Sequence, residues 1–174
     1  SYAGEVDLNK VRECQSGVFF CTYALLIRES KAGVRRIDQL VNWCGGKDFN
    51  GIIALDECHR AKHMAQTKDH VTGEVSVKEG AGTTKSAMFV FELQKLLPNA
   101  RIVYVSATGA TEPQHMAVFS RMGLWGPRTA FKDSFEFISQ IKNGECGAME
   151  LVAMHMKASG QYLCRVLAFD GATF

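Results

Sequence analysis

Two adjacent carboxylates, Asp56 and Glu57, follow directly on an apolar run from Ile52 to Leu55. A thiol, an imidazole and a guanidinium come next, as Cys58, His59 and Arg60. Neighbouring carboxylates repel, and burying them uncompensated is costly. A divalent cation relieves that cost. An all-oxygen ligand set suits Mg2+, which takes one or two protein carboxylates and fills its shell with water and phosphate oxygens. One acid then holds the metal, and its neighbour is left to orient or deprotonate an attacking water. That is the division of labour in nucleoside-triphosphate hydrolysis. At an ordinary strand end the same two acids would only be solvated, so the pair needs a context.

The context is an alternation of strand and helix. Residues 17–23 (GVFFCTY), 51–57 (GIIALDE) and 101–107 (RIVYVSA) read as three continuous apolar strands, the pattern of a parallel sheet covered on both faces. Between them, Ile37, Leu40, Val41 and Cys44 recur at helical spacing before a glycine stop at Gly45 and Gly46. Met88, Phe91, Leu93 and Leu97 outline a second helix that runs into Pro98. This order implies an α/β fold with right-handed crossovers. In such sheets ligands gather at the carboxyl ends of the strands, where Asp56 and Glu57 fall.

The remaining segments are read more briefly. Residues 66–83 are polar, show no period, and are expected to form a long flexible loop. Helices are expected over 112–122, over 133–142 with Asp133 as N-cap, and over 147–159 with Met149, Val152, Ala153 and Met156 facing the core. Residues 123–127 make a turn around a buried Trp125, and 165–174 read as a further strand.

The bulk properties exclude several classes. The 174 residues suffice for one domain, spanning 1–174, with 47% apolar and 22% charged residues. No apolar run approaches the roughly 18–20 residues of a membrane span. The N-terminus lacks the apolar centre of a secretory signal, and it lacks Met, so the chain is expected to be cut from something longer. A net charge of +2, from 20 basic and 18 acidic residues, does not by itself argue for nucleic acid. Six cysteines occur without a C-x-x-C pair and are expected to be buried, reduced thiols of an intracellular protein. Cys58, His59 and His63 lack a second ligand pair at zinc-finger spacing. His63, His70, His115 and His155 belong to no motif.

Asp56-Glu57-Cys58-His59 has the D-E-x-H form of the second motif of superfamily 2 helicases, in its DECH variant. The third motif of that superfamily, Ser-Ala-Thr, stands here as Ser106-Ala107-Thr108 at the end of the next strand. Small hydroxyls there can hydrogen-bond an imidazole without steric penalty. Residues 21–63, 85–126, 131–141 and 147–171 further resemble the strawberry notch family, helicase-like ATPases associated with transcriptional regulation in the nucleus. The resemblance implies a three-layer RecA-like (P-loop NTPase) parallel sheet flanked by helices, with ATP and Mg2+ as cofactors. It implies Asp56 on Mg2+, Glu57 activating water, and His59 coupled to Ser106 and Thr108. Thr22 and Tyr23 resemble the segment that lies near the nucleic-acid groove in related helicases. Partners implied are DNA or RNA and transcription or chromatin proteins. A nuclear location follows if the source is eukaryotic, and a cytoplasmic one otherwise.

The sequence contains no G-x-x-x-x-G-K-[ST]. GAGTTKS at 80–86 lacks the required strand–loop–helix order. The phosphate-binding strand and a second lobe are therefore expected outside these residues, and the isolated chain is expected to be nearly inactive. A different class of reading stays open: a catalytically silent helicase-fold scaffold that binds transcription or chromatin proteins. The intact motifs favour an ATPase, and the balanced charge favours a scaffold.

Overall fold

A computed structural model describes residues 17–31, 33–69, 71–78, 80, 82–107, 112–144 and 147–164. In chain order its elements are α1 (Tyr23–Leu26), α2 (Arg36–Cys44), β1 (Ile52–Leu55), β2 (Gln66–Lys68), β3 (Val75–Val77), α3 (Lys85–Leu96), β4 (Arg101–Tyr104), α4 (Ser134–Asn143) and α5 (Ala148–Ala158). Turns of 3-10 helix lie at Gly46–Asp48, Cys58–Ala61 and Pro113–Val118.

β1 and β4 pair in parallel, with Ile52 opposite Arg101 and Leu55 opposite Tyr104. The face carrying Ile53, Leu55, Ile102 and Tyr104 packs on α2, α3 and the Pro113–Val118 turn. The other face carries Ile52 (67% exposed), Val103 (47%) and Val105 (45%). Among the described residues, then, helices cover one face of this sheet, where the continuous apolar runs read as covered on both.

The helices end where the sequence says they should. α2 stops at Gly45, whose φ of 95° is a left-handed conformation that glycine adopts without steric cost. α3 starts at Thr84, whose hydroxyl caps Ala87 N–H. Gln94 on α3 is buried, and its Nε2 donates to Val90 O at 3.0 Å and to Val118 O at 2.9 Å. Tyr104 of β4 donates its hydroxyl to Gln94 Oε1, so one amide ties helix, strand and turn together.

Three expectations need correction. Residues 17–22 form no strand; Val18 and Phe20 are 81% and 83% exposed, and Thr22 instead caps α1 through a hydrogen bond from Leu25 N–H at 3.2 Å. An apolar run becomes a strand only with a neighbour to pair with, and the described residues offer it none. Residues 66–83 are not a structureless loop. They hold the antiparallel pair β2–β3, with Gln66 opposite Val77. Its turn is built by Asp69, whose Oδ1 accepts from Val71 and Thr72 N–H at 2.7 and 2.9 Å, before Gly73 at φ 70°. Of the expected helix over 112–122, only Pro113–Val118 is helical, as a 3-10 turn, with His115 through Phe119 all buried. Of the cysteines, Cys58 is buried while Cys21 and Cys164 are exposed; Cys14 and Cys146 lie outside the described residues, as does the strand expected at 165–174.

The hairpin docks on the start of α4. Lys68 Nζ donates to Asp133 Oδ2 at 2.8 Å, and Ser134 Oγ donates to Gln66 Oε1 at 2.8 Å. Asp133 also caps α4, accepting from Glu136 N–H at 2.8 Å. Partial burial opposes its charge, but Lys68 and the Glu136 N–H outweigh that and hold its carboxyl below the ordinary value. A depressed carboxyl contributes stability above its unfolded pKa of about 4, and that contribution is lost as pH falls through the lower folded value. Asp133→Ala is therefore expected to cost about 1–2 kcal/mol at pH 7 in urea unfolding, with the deficit shrinking below about pH 4.

Candidate active site

Because β1 and β4 run parallel, their C-terminal ends emerge side by side. The pairing continues one step past both strands. Val105 N–H donates to Leu55 O and Cys58 N–H donates to Val105 O, each at 3.0 Å. These two bonds hold the turn of residues 56–59 against Ser106.

His59 is the junction. Its Nδ1 lies 3.0 Å from Ser106 Oγ and 3.2 Å from Glu57 Oε2. An ionised carboxylate can only accept, so this contact favours the tautomer with the proton on Nδ1. Ser106 and Glu57 are thereby linked through one ring, with His59 and Ser106 themselves 47 positions apart. The Glu57 side chain is half exposed, and that of His59 one-third exposed. Glu57 has φ 48° and ψ 43°, a left-handed backbone that costs a non-glycine residue about 1 kcal/mol. Strain of this kind collects at functional turns.

Asp56 is exposed, and its Oδ1 accepts from Glu57 N–H at 2.9 Å. Its Oδ2 makes no hydrogen bond among the described residues. Water thus solvates both acids, and the pair does not demand a cation to relieve burial. The donor chemistry still suits Mg2+: two exposed carboxylates leave most of a shell to water and phosphate. Among the described residues no group of three or more His, Cys, Asp or Glu could hold a metal, which sets aside a zinc site at Cys58, His59 and His63. Cys58 itself is buried, and burial raises its thiol pKa, so it packs as an apolar residue.

The other sequence-derived candidates fall as follows. Ala107 is exposed beside Ser106, and Thr108 lies outside the described residues. Thr22 is exposed and caps α1. Tyr23 is brought to the acids: its hydroxyl donates to Asp56 O at 2.7 Å. No feature of the sequence announces that contact, which spans 33 positions. Burial, then the neighbouring Cys58 and Asp56, push the Tyr23 phenol pKa up to about 12.

The model of the family described as P-loop containing NTP hydrolase pore-1 matches residues 2–174. The chain belongs to this family. Within it, the strawberry notch resemblance also holds. The chain is 48% identical over 165 residues to the strawberry notch homolog of Caenorhabditis elegans, covering 92% of this chain and 8% of that protein. It is 42% identical over 174 residues to strawberry notch homolog 1 of Homo sapiens, covering 98% and 12%. It is 42% identical over 160 residues to FORGETTER 1 of Arabidopsis thaliana, covering 92% and 11%. The chain thus spans about a tenth of the length of these relatives. No solved structure matches it. For this member of the P-loop hydrolase family, the parallel β1–β4 sheet and its helices agree with an α/β fold.

The backbone strain at Glu57 has a measurable consequence. Glycine relieves a left-handed conformation and alanine does not. Glu57→Gly is expected to be more stable than Glu57→Ala by up to about 1 kcal/mol in urea unfolding, reversing the usual order of these two residues.

Proposed function

We propose that the chain is part of a RecA-like ATPase lobe of a longer strawberry-notch-type protein, which couples ATP hydrolysis to remodelling of DNA or RNA in transcriptional regulation. The observation that carries this reading is the contact of His59 Nδ1 with both Glu57 Oε2 and Ser106 Oγ. One ring thus joins an acid just past β1 to a hydroxyl just past β4. In this reading Glu57 orients the attacking water and takes its proton. His59 fixes the Glu57 carboxylate, and Ser106 fixes His59. Asp56 provides oxygen ligands for Mg2+, which when bound neutralises charge on the phosphates of ATP. Thr22 and Tyr23, at the start of α1, belong to the nucleic-acid side. In this reading the phosphate loop and the second lobe are supplied by other parts of the longer protein. A nuclear location accompanies the transcriptional role in a eukaryote.

A scaffold reading draws on two observations. The net charge is only +2, and apolar side chains such as Leu151 (68%) and Met154 (64%) stand exposed on α5. In that reading transcription or chromatin proteins dock on the fold and the acids are idle.

Turnover separates the two. Nucleic-acid-stimulated ATP hydrolysis by the longer protein is expected to fall about a hundredfold or more in Glu57→Gln, with nucleotide binding retained. Equal rates in both proteins would leave the scaffold reading in its place.

A further inference from the structure

Tyr23 bears on the same site from outside the carboxylate turn. It is the first residue of α1, a four-residue helix held at its start by the Thr22 cap and packed against α2 and α3. Its ring is half-buried against the main core cluster. Its hydroxyl reaches the backbone oxygen of Asp56.

The Asp56–Glu57 peptide is therefore held at both ends. Its carbonyl oxygen accepts from Tyr23 at 2.7 Å, and its N–H donates to Asp56 Oδ1 at 2.9 Å. A peptide unit is planar, so fixing both ends fixes the orientation of the whole plane. That plane sets ψ of Asp56 and φ of Glu57, the residue in the left-handed conformation. With Oδ1 engaged by the N–H, the plane also sets where Oδ2 of Asp56 points.

We propose that Tyr23 is a positioning residue: its hydroxyl locks the Asp56–Glu57 peptide, and through it the carboxylate oxygen offered to a divalent cation. This rests on the hydrolase reading above. It also assigns the Tyr23 hydroxyl to the acids, whereas the sequence pattern associates the residue with nucleic acid.

Tyr23→Phe in the longer protein removes the hydroxyl and keeps the ring. The freed Asp56 carbonyl lies at the surface, where water replaces the lost donor. Mn2+ binding is measured by titration in the presence of a non-hydrolysable ATP analogue, beside thermal melting and the Mg2+ dependence of turnover. Mn2+ affinity is expected to weaken about threefold to tenfold, the range for loss of one ordinary hydrogen bond. The Mg2+ needed for half-maximal turnover rises in parallel, and the melting temperature stays unchanged. Equal Mn2+ affinity in the two proteins overturns the lock and leaves the hydrolase reading standing. A weaker affinity accompanied by a lowered melting temperature makes Tyr23 a structural residue and also overturns it. A wild-type protein that binds no cation–nucleotide complex overturns the hydrolase reading, and the lock falls with it.

Discussion

The parallel pairing of β1 with β4 is the constraint on which the site depends. Antiparallel strands would put the ends of these segments at opposite edges of the sheet. Parallel strands put them together, and the bonds Val105 N–H to Leu55 O and Cys58 N–H to Val105 O extend the register into both turns. Only then can one imidazole touch a carboxylate from the first turn and a hydroxyl from the second. The core serves this pairing. Gln94 and Tyr104 tie α3 to β4, while Ile53, Leu55 and Ile102 seat both strands on the same helical layer.

At the end of β1 the backbone carries the strain and the side chains remain solvated. Glu57 is in the left-handed region, and Asp56 bends back to accept its N–H. The acids are exposed, so solvation stabilises them and no burial cost has to be offset. What the turn provides is orientation. Tyr23 from α1 holds the Asp56 carbonyl, His59 from the following 3-10 turn meets the Glu57 carboxylate, and Ser106, just past β4, meets His59.

Much of this was legible in the sequence. The runs at 51–57 and 101–107 became β1 and β4, because a continuous apolar segment ending at charged or small polar residues has one good home in an α/β fold. Gly45, Pro98 and Asp133 marked helix ends for local reasons that tertiary packing did not overturn. What failed depended on partners. The run at 17–23 reads as well as the other two, yet whether it pairs is settled by what lies beside it. The hairpin of β2 and β3 has three residues a side, too short for any period, and its docking depends on Lys68 meeting Asp133 from 65 positions away. The local signal of that turn is Asp69, which accepts from Val71 and Thr72 N–H but stands among other polar residues. Motif spacing brought Asp56, Glu57, His59 and Ser106 into one list, but the role of the Tyr23 hydroxyl is a product of the fold alone.

The central claim is that the turn after β1 presents Asp56 to a nucleotide-bound divalent cation. It is tested most directly by nucleotide affinity of the longer protein with and without Mg2+, in wild type and in Asp56→Asn. The account predicts that Mg2+ strengthens nucleotide binding in wild type and that Asp56→Asn loses most of that gain while keeping the Mg2+-independent affinity. The same gain in both proteins would contradict it.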